Sequence, residues 1–401
     1  MSGWIEEKAM NRVVSRWSGS VLATCAAVLL AGCQASQPGP KPVTAVTDTP
    51  NHADNTPKRT TEPESVTMFG NHPGAPVKPE NRLLTNMAQH TFSAVGRDFD
   101  PDLDSTGNIM VFASTRNSEH PDIYMKHVNG YALTQLTSDP ADDIQPRFSP
   151  DASSVVFASN RAGNWDIWLI NTDGTGLTQL TQDRGDEVAP CFSPDGKRVA
   201  FTAWGQRSHQ WEIWVLSVDR PGVRRFLCYG MFPDWSPDGK RIAFQRARQR
   251  GTRWFSVWSV ELVGDEARHP TELAYSDSSA CIAPRWSPDG QTLAYCAVLP
   301  GSLGHNDAAD MHADIWTVNA RTGLRLKLTD GAVPAFNPTW SPSGQVYFVS
   351  AQGGAENVWS LNTTASPAAQ PVARQGESSP ARTLGRTEAA SANVPVTAEG
   401  K

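Results

Sequence analysis

The 401-residue chain contains no apolar run long enough to cross a bilayer, which takes about 20 residues; its longest apolar-biased stretch is Val21 to Ala31. It carries no excess of positive charge either: 35 Lys and Arg stand against 41 Asp and Glu, for a net charge of −6. That balance speaks against a nucleic-acid binder, which would show a basic stripe. Cysteine is scarce, six in all, and no spacing among them resembles a zinc site. No Gly-x-Ser-x-Gly elbow is present, so the strand-turn-helix nucleophile of an α/β-hydrolase is missing from this sequence. Beyond residue 80 the apolar runs are short and follow no helical period.

What is present is a phrase written six times. Its clearest copy is Trp235-Ser236-Pro237-Asp238-Gly239, followed by Lys240-Arg241 and the apolar Ile242-Ala243-Phe244. Other copies begin at Phe148, Phe192, Trp286 and Trp340, and a worn one runs Leu103-Asp104-Ser105-Thr106-Gly107. A proline precedes each by two places: Pro101, Pro146, Pro190, Pro233, Pro284 and Pro338, spaced by 45, 44, 43, 51 and 54 residues. Such a period marks a repeat architecture. Ser-Pro-Asp-Gly is a turn with a mechanism: proline pre-sets φ, Asp bonds nearby backbone, and Gly takes the positive φ that returns the chain.

Each turn joins two strands, the second reading Val111-Phe112-Ala113, Val156-Phe157-Ala158 or Val199-Ala200-Phe201. A third strand follows with its own signature, Asp122-Ile123-Tyr124, Asp166-Ile167-Trp168, Glu212-Ile213-Trp214, Ser256-Val257-Trp258, Asp314-Ile315-Trp316 and Asn357-Val358-Trp359. A fourth ends in Leu-Thr at Leu136-Thr137, Leu180-Thr181 and Leu328-Thr329. Four short strands per repeat make one propeller blade, and blades survive by stacking because none can cover its own faces. The expected fold is therefore all-β: a six-bladed β-propeller of four-stranded antiparallel blades over residues 81–362. The aromatic residues at the Tyr124/Trp168 position and before Ser-Pro are expected to pack between strands and blades.

The ends read differently. Residues 1–33 form a lipoprotein signal segment: Arg12 and Arg16 are its basic region, Val21 to Ala31 its apolar core, and Leu30-Ala31-Gly32-Cys33 resembles the bacterial lipobox, with Cys33 as the lipid attachment site. Glu6 and Glu7 are out of place before such a segment, which makes Met10 a more natural start than Met1. Residues 34–80, rich in Pro and Thr, form a disordered tether with a coil dimension of roughly 40 Å. Residues 363–401 have the composition of a disordered tail.

Ring closure has two sequence solutions. The segment Arg82-Leu83-Leu84-Thr85, resembling a fourth strand, completes blade six from the N-terminus; the rival is Pro371-Val372-Ala373-Arg374. The N-terminal solution is the better β-former. Hairpin register counted across Ser287–Gly290 sets Cys281 opposite Cys296, which raises a cross-strand disulfide against the alternative of buried thiols.

The repeat and the (Asp/Glu)-Ile-Trp strand resemble the TolB-like, WD-repeat-like β-propellers of bacterial envelopes. TolB itself has an α/β domain before a six-bladed propeller and docks the peptidoglycan-associated lipoprotein; here a lipidated tether stands in that domain's place. The resemblance implies a non-catalytic scaffold in the cell envelope, anchored by lipid and facing the periplasm at the outer membrane. It binds an envelope protein or peptidoglycan-associated partner, acts as a monomer, and needs no cofactor and no nucleic acid. In a propeller the loops between strands two and three share a face with the passages into the next blade. The candidate partner-binding residues on that face are Arg246, Arg248, Arg250 and Arg253 of a basic loop, with the acids Asp142, Asp143, Asp186 and Glu187. The alternative is a metal-dependent envelope enzyme acting on carbohydrate, for which His305, Asp307, Asp310 and His312 supply imidazole and carboxylate ligands on one loop.

Overall fold

The repeated turn closes its hairpin through side chain as well as backbone. Ser236 Oγ donates to Asp238 Oδ1 (2.6 Å) and accepts from the Arg241 amide (2.8 Å), while Asp238 Oδ1 accepts from the Lys240 amide (3.0 Å). Gly239 sits at φ 69°, the left-handed region that only glycine enters without strain. The worn copy uses the same wiring with exchanged residues: Asp104 accepts from the Ile109 amide (2.8 Å) and from Thr106 Oγ1 (2.5 Å).

The computed structural model describes residues 87–247, 254–299 and 312–363. All of them fall within the first of the two units into which the chain divides, Met1–Gln370. Residues 1–86, among them Cys33, the 34–80 segment and Arg82–Thr85, lie outside the described residues, as do Arg248, Arg250, Arg253, His305, Asp307, Asp310 and residues 364–401 with Pro371–Arg374. Six four-stranded antiparallel sheets form the blades, five of them in simple sequence order. Blade one runs Asp98–Leu103, Ile109–Ser114, Asp122–His127 and Leu133–Gln135. Blade two starts at Asp143–Phe148, blade three at Glu187–Phe192, blade four at Met231–Trp235, blade five at Ala280–Trp286 and blade six at Ala335–Trp340. Successive first strands touch around a closed circuit, blade six returning to blade one.

Every first strand is kinked at the same place. Asp100, Gln145, Ala189, Phe232, Ala283 and Asn337, each just before a repeat proline, take φ between 47° and 56°. The pairing register slips there in all six blades. Proline cannot donate to the ladder, so the strand accommodates it as a bulge. The freed amides find partners across the blade boundary: Ala189 N donates to Gln145 Oε1 (2.7 Å), Phe232 N to Thr202 Oγ1 (3.0 Å) and Ala283 N to Gln245 Oε1 (2.8 Å). The bulge thus serves as an inter-blade fastener.

Each blade also carries an aromatic pair between its second and third strands: Phe112 opposite Tyr124, Phe157 opposite Trp168, Phe201 opposite Trp214, Phe244 opposite Trp258, Tyr295 opposite Trp316 and Phe348 opposite Trp359. The second-strand rings are fully buried. Burying one such ring contributes about 1.5–3 kcal/mol, and cross-strand aromatic contact adds to it. Arg161 lies over Trp168 at 5.0 Å and covers its outer side.

Blade six is completed from the N-terminus. Met87–Gln89 pairs antiparallel with Asn357–Asn362, Met87 opposite Leu361 and Gln89 opposite Trp359. The closing strand lies later in the chain than the sequence pattern suggests. In blades one, two and five the Leu-Thr threonine accepts the amide of the third-strand isoleucine: Ile123 N to Thr137 Oγ1 (2.9 Å), Ile167 N to Thr181 Oγ1 (2.8 Å), Ile315 N to Thr329 Oγ1 (3.0 Å). In blade six Val358 N bonds Thr91 Oγ1 (2.9 Å), so His90-Thr91, rather than Leu84-Thr85, is the closing copy. Counting residues from the turn misplaces the cysteines by one. The turn occupies more than four residues, with Trp286 opposite Leu293, and the Ala283-Pro284 bulge shifts the strand again. Ile282 therefore faces Cys296 while Cys281 faces Ala297. All four propeller cysteines are thiols rather than disulfide partners.

Candidate functional site

The residue between each repeat proline and the large apolar residue that follows varies in chemistry from blade to blade, while its neighbours keep theirs. It is Asp102, Arg147, Cys191, Asp234, Arg285 and Thr339 in turn. The bulge places these six around the axis. Five of them, all but the buried Cys191, floor a funnel of about 350 Å³ that opens on the face bearing the Ser-Pro turns. Its walls are Trp235, Trp286, Trp340 and the turn prolines Pro237, Pro288 and Pro342. Deeper along the axis the bulge residues converge on a cavity of about 30 Å³, room for a water molecule and little else. The funnel and not the throat therefore has the size to receive a partner's side chain.

The funnel floor is an ionic network. Arg147 reaches Asp102 through Nε (3.2 Å) and Asp234 through Nη2 (2.8 Å), and Arg285 Nη1 meets Asp234 at 3.3 Å. The acids are also tied to backbone: the Phe148 amide donates to Asp102 Oδ2 (3.0 Å) and the Trp286 amide to Asp234 Oδ2 (2.7 Å). Each acid thus staples its own blade to the next. Burial pushes both carboxyls up, and Arg147 offsets part of that rise. Burial alone would pull the Arg147 proton affinity down; the two flanking carboxylates outweigh it and raise it. Burial likewise pushes the Cys191 thiol up, which keeps it protonated and unreactive. Two acids and two arginines balance in charge, and Arg285 is the most exposed of the four, at 24% of its side chain. A fixed array of opposed charges with an aromatic wall has the chemistry to meet a polar or charged group.

The sequence-derived face lies at the opposite mouth, and the acids there are mostly buried. Asp143 is fully buried and takes a two-pronged bond from Arg161 (2.7 and 2.9 Å). Asp142 is buried and bonded to His120 (2.7 Å) and to the Asn160 amide group (3.2 Å). Asp186 is half-buried and accepts the Trp165 amide (3.2 Å). Glu187 is buried beside Asp166 in the seam between blades two and three. Its position matches Asp98 and Asp143, yet Gly205 occupies the place of Arg116 and Arg161, and burial together with the nearby acids raises its carboxyl. Arg246 belongs to blade four, next to the blade of Glu187, and lies over Trp258 at 5.9 Å. His312 sits at the edge of the blade-five insertion, its carbonyl accepting the Leu299 amide (3.0 Å). Among the described residues no cluster of three or more His, Cys, Asp or Glu is placed to hold a metal. The funnel residues escaped the sequence reading because attention to a repeat favours what recurs. Their signal was the reverse: one variable, mostly polar position inside an otherwise constant phrase.

Comparison with known proteins agrees with the architecture. The family model described as the Tricorn protease N-terminal beta propeller domain matches residues 164–379, more than half of the chain. A protein named TolB homolog from Chlorobium luteolum is 34% identical over 84 residues, 20% of this chain and 19% of that protein. The chain therefore spans about a fifth of that relative's length. An uncharacterized peptidase, YuxL of Bacillus subtilis, is 32% identical over 94 residues, 23% of this chain and 13% of the peptidase. Among solved structures, one assigned as TolB of Agrobacterium tumefaciens superposes with a TM-score of 0.51 at 20% identity, covering 66% of this chain and 90% of that one. TolB of Acinetobacter baumannii gives 0.50 at 19% identity, covering 67% and 64%.

Proposed function

Because this chain belongs to the Tricorn protease N-terminal beta propeller family and has a TolB-like six-bladed form, we propose that it is a non-catalytic scaffold of the bacterial cell envelope. It is held to the membrane by lipid on Cys33 and binds an envelope protein or peptidoglycan-associated partner. The observation that carries the reading is the funnel. Its carboxylates are committed to arginines and to backbone amides, so they brace the ring rather than stand ready for proton transfer. Its aromatic walls and the reachable Arg285 offer the mixed apolar and charged surface that protein partners favour. The TolB relatives support the envelope assignment, and the lipobox-like Leu30-Ala31-Gly32-Cys33 supports the anchor.

Two measurements test this. A photo-crosslinking residue at Thr339, in cells making the full chain, should capture a defined partner, and Arg285→Glu should abolish the capture. Capture unaffected by Arg285→Glu, or obtained only from Asp186 on the other face, would overturn the funnel as docking site. Cys33→Ser should move the protein from the membrane to the soluble fraction; retention in the membrane would remove the anchor.

A further inference from the structure

The seam where the closing strand meets blade one carries two ionisable groups at places that are aliphatic elsewhere in the ring. In blades one, two and five the residue before the capping threonine is Leu136, Leu180 or Leu328, all buried. In the closing strand it is His90, also buried. Lys126, buried in the third strand of blade one, occupies the position held by Ile170, Leu216, Val260, Val318 and Leu361 in the other five blades. The two are joined, with Lys126 Nζ donating to the His90 carbonyl.

The His90 ring is held on several sides. Nε2 is 2.8 Å from Ser360 Oγ, Nδ1 is 3.5 Å from the Val128 carbonyl, and the ring packs on Tyr347 with centroids 4.7 Å apart. A neutral imidazole satisfies this set: Nδ1–H points to the carbonyl and Nε2 accepts from the serine hydroxyl. The titratable or charged groups packed around it are Lys126 from blade one and Tyr347 from the second strand of blade six; Asp98 and Arg116 act on Lys126 from behind. The backbone tie is slight. The strand Met87–Gln89 has three paired residues, extended by the His90 amide to the Val358 carbonyl (2.8 Å) and by Thr91 and Ser93 on Asn357 Oδ1 (3.1 and 2.8 Å).

We propose that His90 makes closure of the ring acid-sensitive: its protonation beside Lys126 releases the strand 87–91 from blade six while the blades themselves stay folded. Burial lowers the His90 proton affinity, the Val128 carbonyl raises it, and Lys126 lowers it, with a net lowering. A histidine with a lowered folded pKa contributes stability that is complete above its unfolded value of about 6.5. That contribution is lost as pH falls below this value toward the folded pKa. Release of the strand leaves residues 87–91 joined to the ring only through the chain that runs on into blade one, so mild acid would open the closure and lengthen the link between the propeller and its N-terminal segment.

The test is hydrogen exchange of the full-length protein between about pH 7.5 and 5.5, corrected for intrinsic exchange rates and read by mass spectrometry on peptides covering 87–91. Wild type should lose protection there by roughly tenfold per pH unit once the histidine titrates, with the strands of blades two to four unchanged. His90→Leu, which restores the residue of the other blades, should flatten the dependence. His90→Gln, which keeps a hydrogen-bonding group without the titration, should flatten it as well and serves should the leucine variant fold poorly. A flat wild-type profile, a profile unchanged in both variants, or loss of protection around the whole ring would each overturn the proposal.

Discussion

At the scale of single residues, the axis of the propeller is where charge does most for the fold. Arg147 stands between Asp102 and Asp234, 84% or more of each side chain being buried. Removing it would leave buried Asp102 without an ion pair and Asp234 with Arg285 alone. Arg147→Met should therefore destabilise the protein by about 3–5 kcal/mol, measured by urea unfolding near neutral pH. Asp100, at the bulge of blade one, is a different case. Burial pushes its carboxyl up to about 6, against the bonds from Asn337 and the Gln145 amide. Its folded pKa exceeds the unfolded one, so the native state binds the extra proton between about pH 4 and 6 and loses stability as pH rises through that window. Asp100→Asn keeps the shape and tolerates the positive φ. It should stabilise the protein at pH 7 by on the order of 1 kcal/mol and leave little difference near pH 4, as read by thermal unfolding at the two pH values.

At the scale of elements, two repeated devices hold each blade to shape. One is the proline bulge, whose displaced amide is satisfied by a side chain of the neighbouring blade. The other is the capping threonine of the fourth strand. Thr181 Oγ1 accepts the Ile167 amide in a place closed to water. Thr181→Val preserves volume but leaves that amide without a partner, and should cost about 1–3 kcal/mol in urea unfolding. A loss below a few tenths would mean that water or a shifted backbone replaces the hydroxyl. The fourth strands of blades one, two and five are two or three residues long, so this one side-chain bond is a large part of what fastens them. Blades three and four have longer fourth strands, Arg224–Tyr229 and Glu266–Ala274. Their third strands pair with these over most of their length.

At the scale of the molecule, closure joins the two ends of the folded region. Blade six owns three strands of its own and borrows Met87–Gln89. A chain beginning at residue 81 should unfold like the full protein. One beginning at residue 92 leaves the backbone of Asn357–Asn362 without its partner strand and should melt several degrees lower in calorimetry, with a tendency to associate through that edge. Equal melting temperatures for the two truncations would show that closure adds nothing to stability. The same geometry makes the ring a firm base for the funnel, since every floor residue sits on the first strand of its blade and Asp102 and Asp234 are each tied to the next blade through a backbone amide.

Much of this was decided by local chemistry that any reader of the sequence can follow. Turn residues, alternating apolar runs and a recurring proline dictate hairpins, and four-strand units that cannot survive alone dictate a ring. The six repeats, their hairpins and the N-terminal closure were legible for that reason. The placement of the closing strand was not, because His90 replaces the leucine that marks the motif elsewhere. Nor was the cysteine register, because each bulge slips the ladder by an amount that counting residues misses. The candidate acids illustrate the general limit. Asp143 and Glu187 read as surface loop charges, yet the blade boundary buries them, because what covers a side chain comes from residues far away in the chain. The funnel floor has the same origin: only ring closure brings Asp102, Arg147, Asp234 and Arg285, one from each of four blades, within reach of one another.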